Sequence, residues 1–295
     1  MIKHLITGGC SFSTDGGTEF GWTGKLANRM KKLNHDLTYE HTGYLSQGQE
    51  MIQKKVMLAI MDELAAGTSP DEILACVMWS GAARKAWYID NPDIIREMVN
   101  GWPKFQGGMS SQFLDLKNAV PHGEDVFQTN NGTKFDYNKS GGWYFTVDGS
   151  DCQLGFVRQF YMIDKNTCGV GKVHSSLENI IALQNFCKLH GVKLIQQFFM
   201  DIVFDDIEKS KDHQIIKYLY NQLDFESMIT GGMFEHLHSL IGIPNELARI
   251  TSHSDRLIRD KEFGYFSSDG FHPSSLIGAQ AWCNDILFPF LDKKL

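Results

Sequence analysis

One run of apolar residues, Ile73–Trp79, constrains the fold of this chain more than any other feature. The run reads ILACVMW and contains no charged side chain. A strand with one solvated face alternates apolar and polar residues, whereas a strand covered by helices on both faces is apolar throughout. The run therefore predicts a buried strand in a parallel sheet, which needs helices above and below it.

Strand-like and helix-like segments alternate on both sides of this run. The pattern predicts strands at residues 3–7, 37–41 and 192–200, and helices at 20–33, 50–66, 175–190 and 211–223. Ser175, with Glu178 three residues later, matches a capping box and is expected to open one of these helices. A last helix containing Leu276 and Trp282 is expected to break near Pro289. Residues 230–265 give no clear pattern.

The alternation of strands and helices with short connections predicts an α/β fold, a three-layer α/β/α sandwich with a parallel central sheet. The rhythm stops between residues 91 and 171, where glycine, asparagine and aromatic residues are frequent. Within this stretch, residues 142–147 are predicted to form a short strand. We interpret residues 1–295 as a single domain that carries an aromatic- and Gly-rich insertion at about 91–171.

Composition excludes several classes of partner. The net charge is −7 and the basic residues cluster only in pairs, which argues against nucleic acid. No apolar stretch approaches the roughly 20 residues that a membrane helix needs.

The six cysteines are scattered without a CxxC pair, a pattern typical of reduced thiols rather than a zinc site. The first residues are predicted to form a strand rather than a signal peptide, so we expect a cytoplasmic protein.

Polar residues that could carry chemistry stand at the two ends of the chain. Ser11 directly follows the first predicted strand, and ligands of open parallel sheets bind at the carboxyl ends of strands. Asp269 and His272 are three residues apart, just before Pro273 and the last helix. A hydroxyl nucleophile needs an imidazole to accept its proton and a carboxylate to orient that imidazole. These residue types predict a catalytic triad of Ser11, His272 and Asp269.

Four segments together resemble the conserved blocks of the SGNH (GDSL-like) hydrolase family. They are, in block order, Gly9–Ser13 (GCSFS), Leu45–Gln49 (LSQGQ), Trp79–Arg84 (WSGAAR) and Asp269–Pro273 (DGFHP). The order and spacing agree with the family over roughly 1–90 and 172–295. The resemblance implies an SGNH/flavodoxin-like scaffold and a serine esterase that forms an acyl-enzyme on Ser11. It implies no metal and no organic cofactor.

The resemblance also assigns the oxyanion hole, with two departures from the family pattern. The backbone N–H groups of Ser11 and Gly48 would bind the oxyanion. The family's block I Asp is Cys10 here, which leaves the nucleophile in place. The block III Asn is missing, and Ser80 is the expected substitute because a hydroxyl can donate one hydrogen bond. Arg84 is a second candidate, either at the oxyanion or in substrate binding.

The favoured substrate is an O-acetyl ester on a carbohydrate, so the expected partner is a small-molecule or glycan ester. Trp102, Trp143 and Tyr144 in the insertion offer aromatic faces for sugar rings, and the alternative is that they pack the insertion's own core. Two alternatives stay open. The missing Asn fits a glycan-binding or structural module with weak or no catalysis, and an O-acyltransferase would use the same residues.

Two other candidate groups are weaker. Cys10 could be a nucleophile beside His272, but Ser11 occupies the motif position. His236 and His238 are two residues apart, and this spacing places the two imidazoles on different sides of a helix. We therefore interpret them as ordinary histidines rather than as metal ligands.

Overall fold

The computed structural model describes about three fifths of the chain. The described residues are 1–13, 21–43, 47–82, 85–89, 111–115, 143–147, 170–200, 210, 212–243, 264–267, 272–274 and 276–295, with backbone only for 85–89, 111–115 and 143–147. Within these residues, no helix is both long and apolar enough to cross a bilayer.

The chain forms eight described strands and seven described helices. The strands are β1 (His4–Gly8), β2 (Thr38–His41), β3 (Ile73–Trp79), β4 (Lys85–Ile89), β5 (Ser111–Asp115), β6 (Trp143–Val147), β7 (Lys193–Phe198) and β8 (Met228–Gly232). The helices are α1 (Trp22–Leu33), α2 (Gln49–Ala65), α3 (Val170–His190), α4 (Gln214–Tyr220), α5 (Met233–Leu240), α6 (Gly278–Trp282) and α7 (Phe288–Lys294). A π-helical turn, Cys283–Leu287, joins α6 to α7.

Five of the strands form a parallel sheet in the order β2–β1–β3–β7–β8. Each neighbouring pair is parallel. The chain leaves β1 for β2 at one edge and then returns to β3 on the other side of β1. In open parallel sheets, ligands bind outside the carboxyl ends of the strands, at the point where the strand order reverses. In this sheet that point is the crevice between β1 and β3.

The predicted strand Ile73–Trp79 is confirmed, and all of its residues are buried. Its side chains alternate between two hydrophobic clusters, one on each face of the sheet. Leu74 and Met78 pack in the cluster that contains residues of α1, α5 and the C-terminal helix. Ala75 and Val77 pack in the cluster that contains residues of α2, α3 and α4. The fold is therefore α/β with helices on both faces of a parallel sheet, which is compatible with the predicted three-layer arrangement.

Two adjacent glutamines in β7 tie a tryptophan to each face of the sheet. Gln196 and Gln197 are fully buried and point to opposite faces because successive strand residues alternate. Trp79 Nε1 donates to Gln196 Oε1 at 3.0 Å, and Trp282 Nε1 donates to Gln197 Oε1 at 2.7 Å. Each buried amide oxygen thus has the partner that burial requires.

Two predictions about helix ends are wrong. α3 begins at Val170, so Ser175 and Glu178 lie inside the helix and do not form a capping box. There the Glu178 carboxylate lies 3.1 Å from His174 Nδ1, one turn earlier in the helix. The last helix does not break at Pro289. It continues through the π-helical turn into α7. Pro289 lies in the first turn of α7, where a helix tolerates a residue without a backbone N–H.

A second sheet is antiparallel, with the order β4–β6–β5. β6 (Trp143–Val147) confirms the strand that was predicted at residues 142–147, and it pairs with β4 on one side and β5 on the other. The remaining residues of 91–169 lie outside the described residues. The insertion and the single-domain boundary stay predictions.

The described cysteines, Cys10, Cys76, Cys187 and Cys283, are free and buried. Burial raises the pKa of the Cys187 and Cys283 thiols to about 12, and it also raises the pKa of Cys76. At neutral pH these three thiols are therefore protonated and poor nucleophiles.

Candidate active site

The segment that follows β1 forms a tight turn at the carboxyl edge of the sheet. Residues Ser11–Ser13 make one 3-10 turn, in which Ser13 N donates to Cys10 O at 2.8 Å. Trp22 Nε1 donates to Ser13 Oγ at 3.1 Å, so the start of α1 anchors the turn. Ser11 is partly exposed, whereas Cys10 is fully buried. The predicted nucleophile therefore reaches the surface while its neighbouring thiol does not.

Gly9 explains how this turn comes so close to β3. A Cβ atom at Gly9 would lie 2.1 Å from Ser13 Oγ and 3.1 Å from the Met78 carbonyl oxygen. Neither neighbour can yield easily, because Ser13 is held by Trp22 and Met78 belongs to the central strand. Glycine at this position thus places the Ser11 turn against the end of β3, on the crevice where the strand order reverses.

A small hydrogen-bonded clamp holds His272 in place. Ser267 N donates to His272 O at 2.8 Å, and Ser274 N donates to Tyr265 O at 2.8 Å. Ser274 Oγ accepts a hydrogen bond from Gly278 N at 2.9 Å, which joins the clamp to the first turn of α6. The backbone that carries the imidazole is therefore fixed from both sides.

The structure brings His272 to the Ser11 turn although the two lie near opposite ends of the chain. The His272 ring packs on Phe12 with ring centroids 5.0 Å apart, and Phe12 packs in turn on Phe199 at 4.7 Å. His272 is partly buried, and its Nε2 atom is buried. The predicted base thus contacts the residue that directly follows the predicted nucleophile.

The two predicted oxyanion segments flank the same crevice. Gly48 is buried and precedes α2, a helix of 17 residues whose positive N-terminal end faces this edge of the sheet. Ser80 directly follows β3, and its side chain is fully buried. The Ser80 Oγ atom has no hydrogen-bond partner within the described part of the chain. Gly48 and Ser80 therefore both lie at this edge of the sheet, and their role in an oxyanion hole stays a prediction.

Several predicted residues are not tested. Asp269, Arg84 and Trp102 lie outside the described residues. Trp143 and Tyr144 belong to β6, where only the backbone is described. Their roles stay predictions.

The side chain of Gln49 forms a contact in the site that was not predicted from the sequence, since no local pattern indicates which distant carbonyl it reaches.

His41, also missed from the sequence, lies at the same edge, at the end of β2. Its Nδ1 is hydrogen-bonded to Thr7 Oγ1 at 2.8 Å, and its Nε2 is buried without a partner in the described residues. A Cβ at Gly43 would lie 2.6 Å from the imidazole, so glycine makes room for the ring. Burial, with a smaller effect from the positive charge of Lys55, lowers the pKa of His41 to about 4.

We expect this histidine to make stability depend on pH. The unfolded chain binds a proton at His41 near pH 6.5, whereas the folded chain binds it only near pH 4. Between these values the unfolded state holds more protons, so the free energy of unfolding falls as the pH drops from about 6.5 to about 4. In His41→Gln this fall should be smaller by about 1–3 kcal/mol, measured by urea unfolding near pH 7 and near pH 4.

The matched control for this experiment is His35→Gln, which removes an exposed imidazole from the surface. An equal change of the pH dependence in both variants would contradict the assignment to His41.

The histidines of α5 do not form a metal site. His238 is fully buried, with Nδ1 2.8 Å from the Phe234 carbonyl oxygen, whereas His236 is partly exposed and lies 3.2 Å from Asp285. This confirms that the two imidazoles lie on different sides of the helix. Across the described residues, no group of three or more metal-ligating side chains is found.

A cleft of about 510 Å³ lies at the other, amino edge of the sheet, between α3, β7 and the start of β8. Its central polar groups are used within the fold. Gln184 donates to Gln222 O at 2.8 Å and accepts from Asp224 N at 2.7 Å, and the Asp224 carboxylate accepts from Glu226 N. The cleft therefore offers less chemistry than the crevice at the carboxyl edge.

The crevice can support nucleophilic chemistry. It combines a partly exposed Ser11, an imidazole that packs on the next residue in the chain, Phe12, and a helix N-terminus that favours negative charge. No protein-family model matches the chain, and no curated protein matches it.

Proposed function

We propose that the protein is a serine esterase of the SGNH type, built on a three-layer, flavodoxin-like scaffold. The observation that carries the proposal is the contact between His272 and Phe12, because it joins the block V histidine to the block I turn. This contact lies at the reversal point of the strand order, where ligands bind in such sheets. The resemblance of the four sequence blocks supports the same assignment.

In the proposed mechanism, Ser11 Oγ attacks the ester carbonyl while His272 takes the hydroxyl proton. The imidazole then gives this proton to the departing alcohol, which leaves an acyl-enzyme on Ser11. Water attacks the acyl group, His272 accepts the water proton, and the acid leaves as Ser11 regains a proton. Asp269 is the proposed partner that orients the imidazole, on the strength of its spacing from His272.

The oxyanion of each tetrahedral intermediate needs hydrogen-bond donors that are already in place. We assign this role to the backbone N–H groups of Ser11 and Gly48, with the Ser80 hydroxyl as the third donor. The N-terminal end of α2 adds a favourable field for negative charge. Ser80 fits because its buried hydroxyl has no partner in the described part of the chain.

The proposed substrate is an O-acetyl ester on a carbohydrate. The proposed substrate-binding side chains are Trp102, Trp143, Tyr144 and Arg84. Acetate release from an acetylated oligosaccharide should exceed release from an acetylated simple alcohol at equal concentration. Equal rates would restrict the proposal to a general esterase.

A fluorophosphonate probe tests the proposed activity directly. Wild-type protein should be labelled covalently, and Ser11→Ala should not, because the probe reacts with a serine hydroxyl that a neighbouring base activates. Cys10→Ala is the matched control, since it changes the adjacent residue and should retain labelling. Absence of labelling in the wild type would favour a glycan-binding or structural module instead, and loss of labelling in Cys10→Ala alone would overturn the choice of nucleophile.

A further inference from the structure

Gln49 makes a hydrogen bond that joins two segments of the crevice. It is the first residue of α2, directly after Gly48, and its side chain is 2% exposed. Its Nε2 donates to the Ser80 carbonyl oxygen at 2.6 Å. The acceptor is a carbonyl and cannot donate, so the orientation of the amide group is determined by chemistry.

This bond crosses the end of β1. Gln49 follows β2 and Ser80 follows β3, and β1 lies between these two strands in the sheet. The Ser11 turn emerges from β1. The Gln49 amide therefore links the two segments on either side of the turn that carries the proposed nucleophile.

The bond also determines the orientation of one peptide group. In a planar trans peptide the C=O and the following N–H point in opposite directions. When the Ser80 carbonyl points to Gln49, the Gly81 N–H must point away from α2. The same constraint sets the position of the Ser80 backbone, and with it the place of the buried Ser80 hydroxyl.

We infer that Gln49 is a positioning residue of the proposed esterase, acting through the Ser80–Gly81 peptide to hold the Ser80 hydroxyl at its working distance from the Gly48 N–H group. The inference rests on the proposed function. It also accounts for the missing block III Asn. The short Ser80 side chain can replace the Asn amide as a donor only if the backbone that carries it is held in place. A displacement of about 1 Å at such a site can reduce the rate about 10²-fold.

The test uses variants that keep the length of the side chain. Gln49→Met removes the donor but preserves volume, and Gln49→Glu replaces the donor with an oxygen that faces the Ser80 carbonyl. Both should lower kcat for p-nitrophenyl acetate about 10–100-fold and leave KM within about threefold. Labelling of Ser11 by the fluorophosphonate should slow by a similar factor, since phosphonylation develops charge on the same oxygen.

Gln53→Met is the matched control, because Gln53 lies one turn further along α2 and donates to Met57 within that helix. It should keep wild-type kcat. The inference is overturned if Gln49→Met and Gln53→Met have the same kcat, or if both Gln49 variants change KM alone. A wild-type protein that neither reacts with the probe nor hydrolyses the ester rejects the proposed function itself, which separates the two failures.

Discussion

His272→Ala is expected to lower kcat/KM for p-nitrophenyl acetate about 10³–10⁴-fold, because the proposed nucleophile then has no base to accept its proton. The imidazole lies on Phe12, and its backbone is clamped by Ser267 and by α6, so no other described histidine can take its place without moving these elements. Steady-state kinetics across pH would measure the loss. Addition of free imidazole should restore part of the rate in the variant.

The control for this prediction is His236→Ala, which removes a partly exposed imidazole from α5, close to Asp285. This variant should keep the wild-type rate, and its pH profile should be unchanged. A loss below about tenfold in His272→Ala, or an equal loss in both variants, would contradict the role given to His272. Thermal unfolding of both variants would separate a catalytic effect from a folding defect.

The parts of the fold that were predictable from sequence are those with strong local patterns. β3 was found at its observed bounds, Ile73–Trp79, because burial on both faces leaves an uninterrupted apolar run. β8 was missed, since an edge strand ending Thr230-Gly231-Gly232 has little apolar content. The break predicted at Pro289 failed because a π-helical turn precedes it, and nothing local in the sequence announces such a turn.

The residues of the candidate site were likewise predictable only where a local sequence pattern marks them. Ser11 and His272 were singled out because each lies in a turn next to a regular element, and in the structure the His272 ring packs on Phe12, the residue after Ser11. Gln49 was not predictable, because its partner is a backbone carbonyl of a residue distant in sequence, and every residue has such a carbonyl. The low pKa of His41 was likewise not predictable, since it depends on burial of the ring beside Gly43 and on the positive charge of Lys55.

Trp282→Ala should produce the largest loss of stability among the variants considered, about 3–5 kcal/mol in the free energy of unfolding. The ring is 1% exposed and packs in the cluster that covers one face of the sheet. Its Nε1 donates to Gln197, so the alanine variant loses packing and also leaves a buried amide oxygen without its partner. Urea unfolding followed by circular dichroism would measure the change.

Trp282→Phe separates the two contributions, because it keeps most of the ring but not the N–H group. We expect a loss of about 1–3 kcal/mol, the range for a buried acceptor left unsatisfied. The double variant Trp282→Phe/Gln197→Leu should recover part of this loss, since both partners are then apolar. Leu276→Ala is the control: its side chain is 68% exposed, and the change should stay within about 0.5 kcal/mol.

The outcome also bears on the site, because α6 follows the clamp that holds His272. If Trp282 anchors the C-terminal helix, Trp282→Phe should lower the free energy of unfolding but largely retain the esterase activity, because the clamp itself is intact. A double variant that shows no recovery over Trp282→Phe would mean that the Trp282–Gln197 bond contributes little, and that packing alone holds this helix against the sheet.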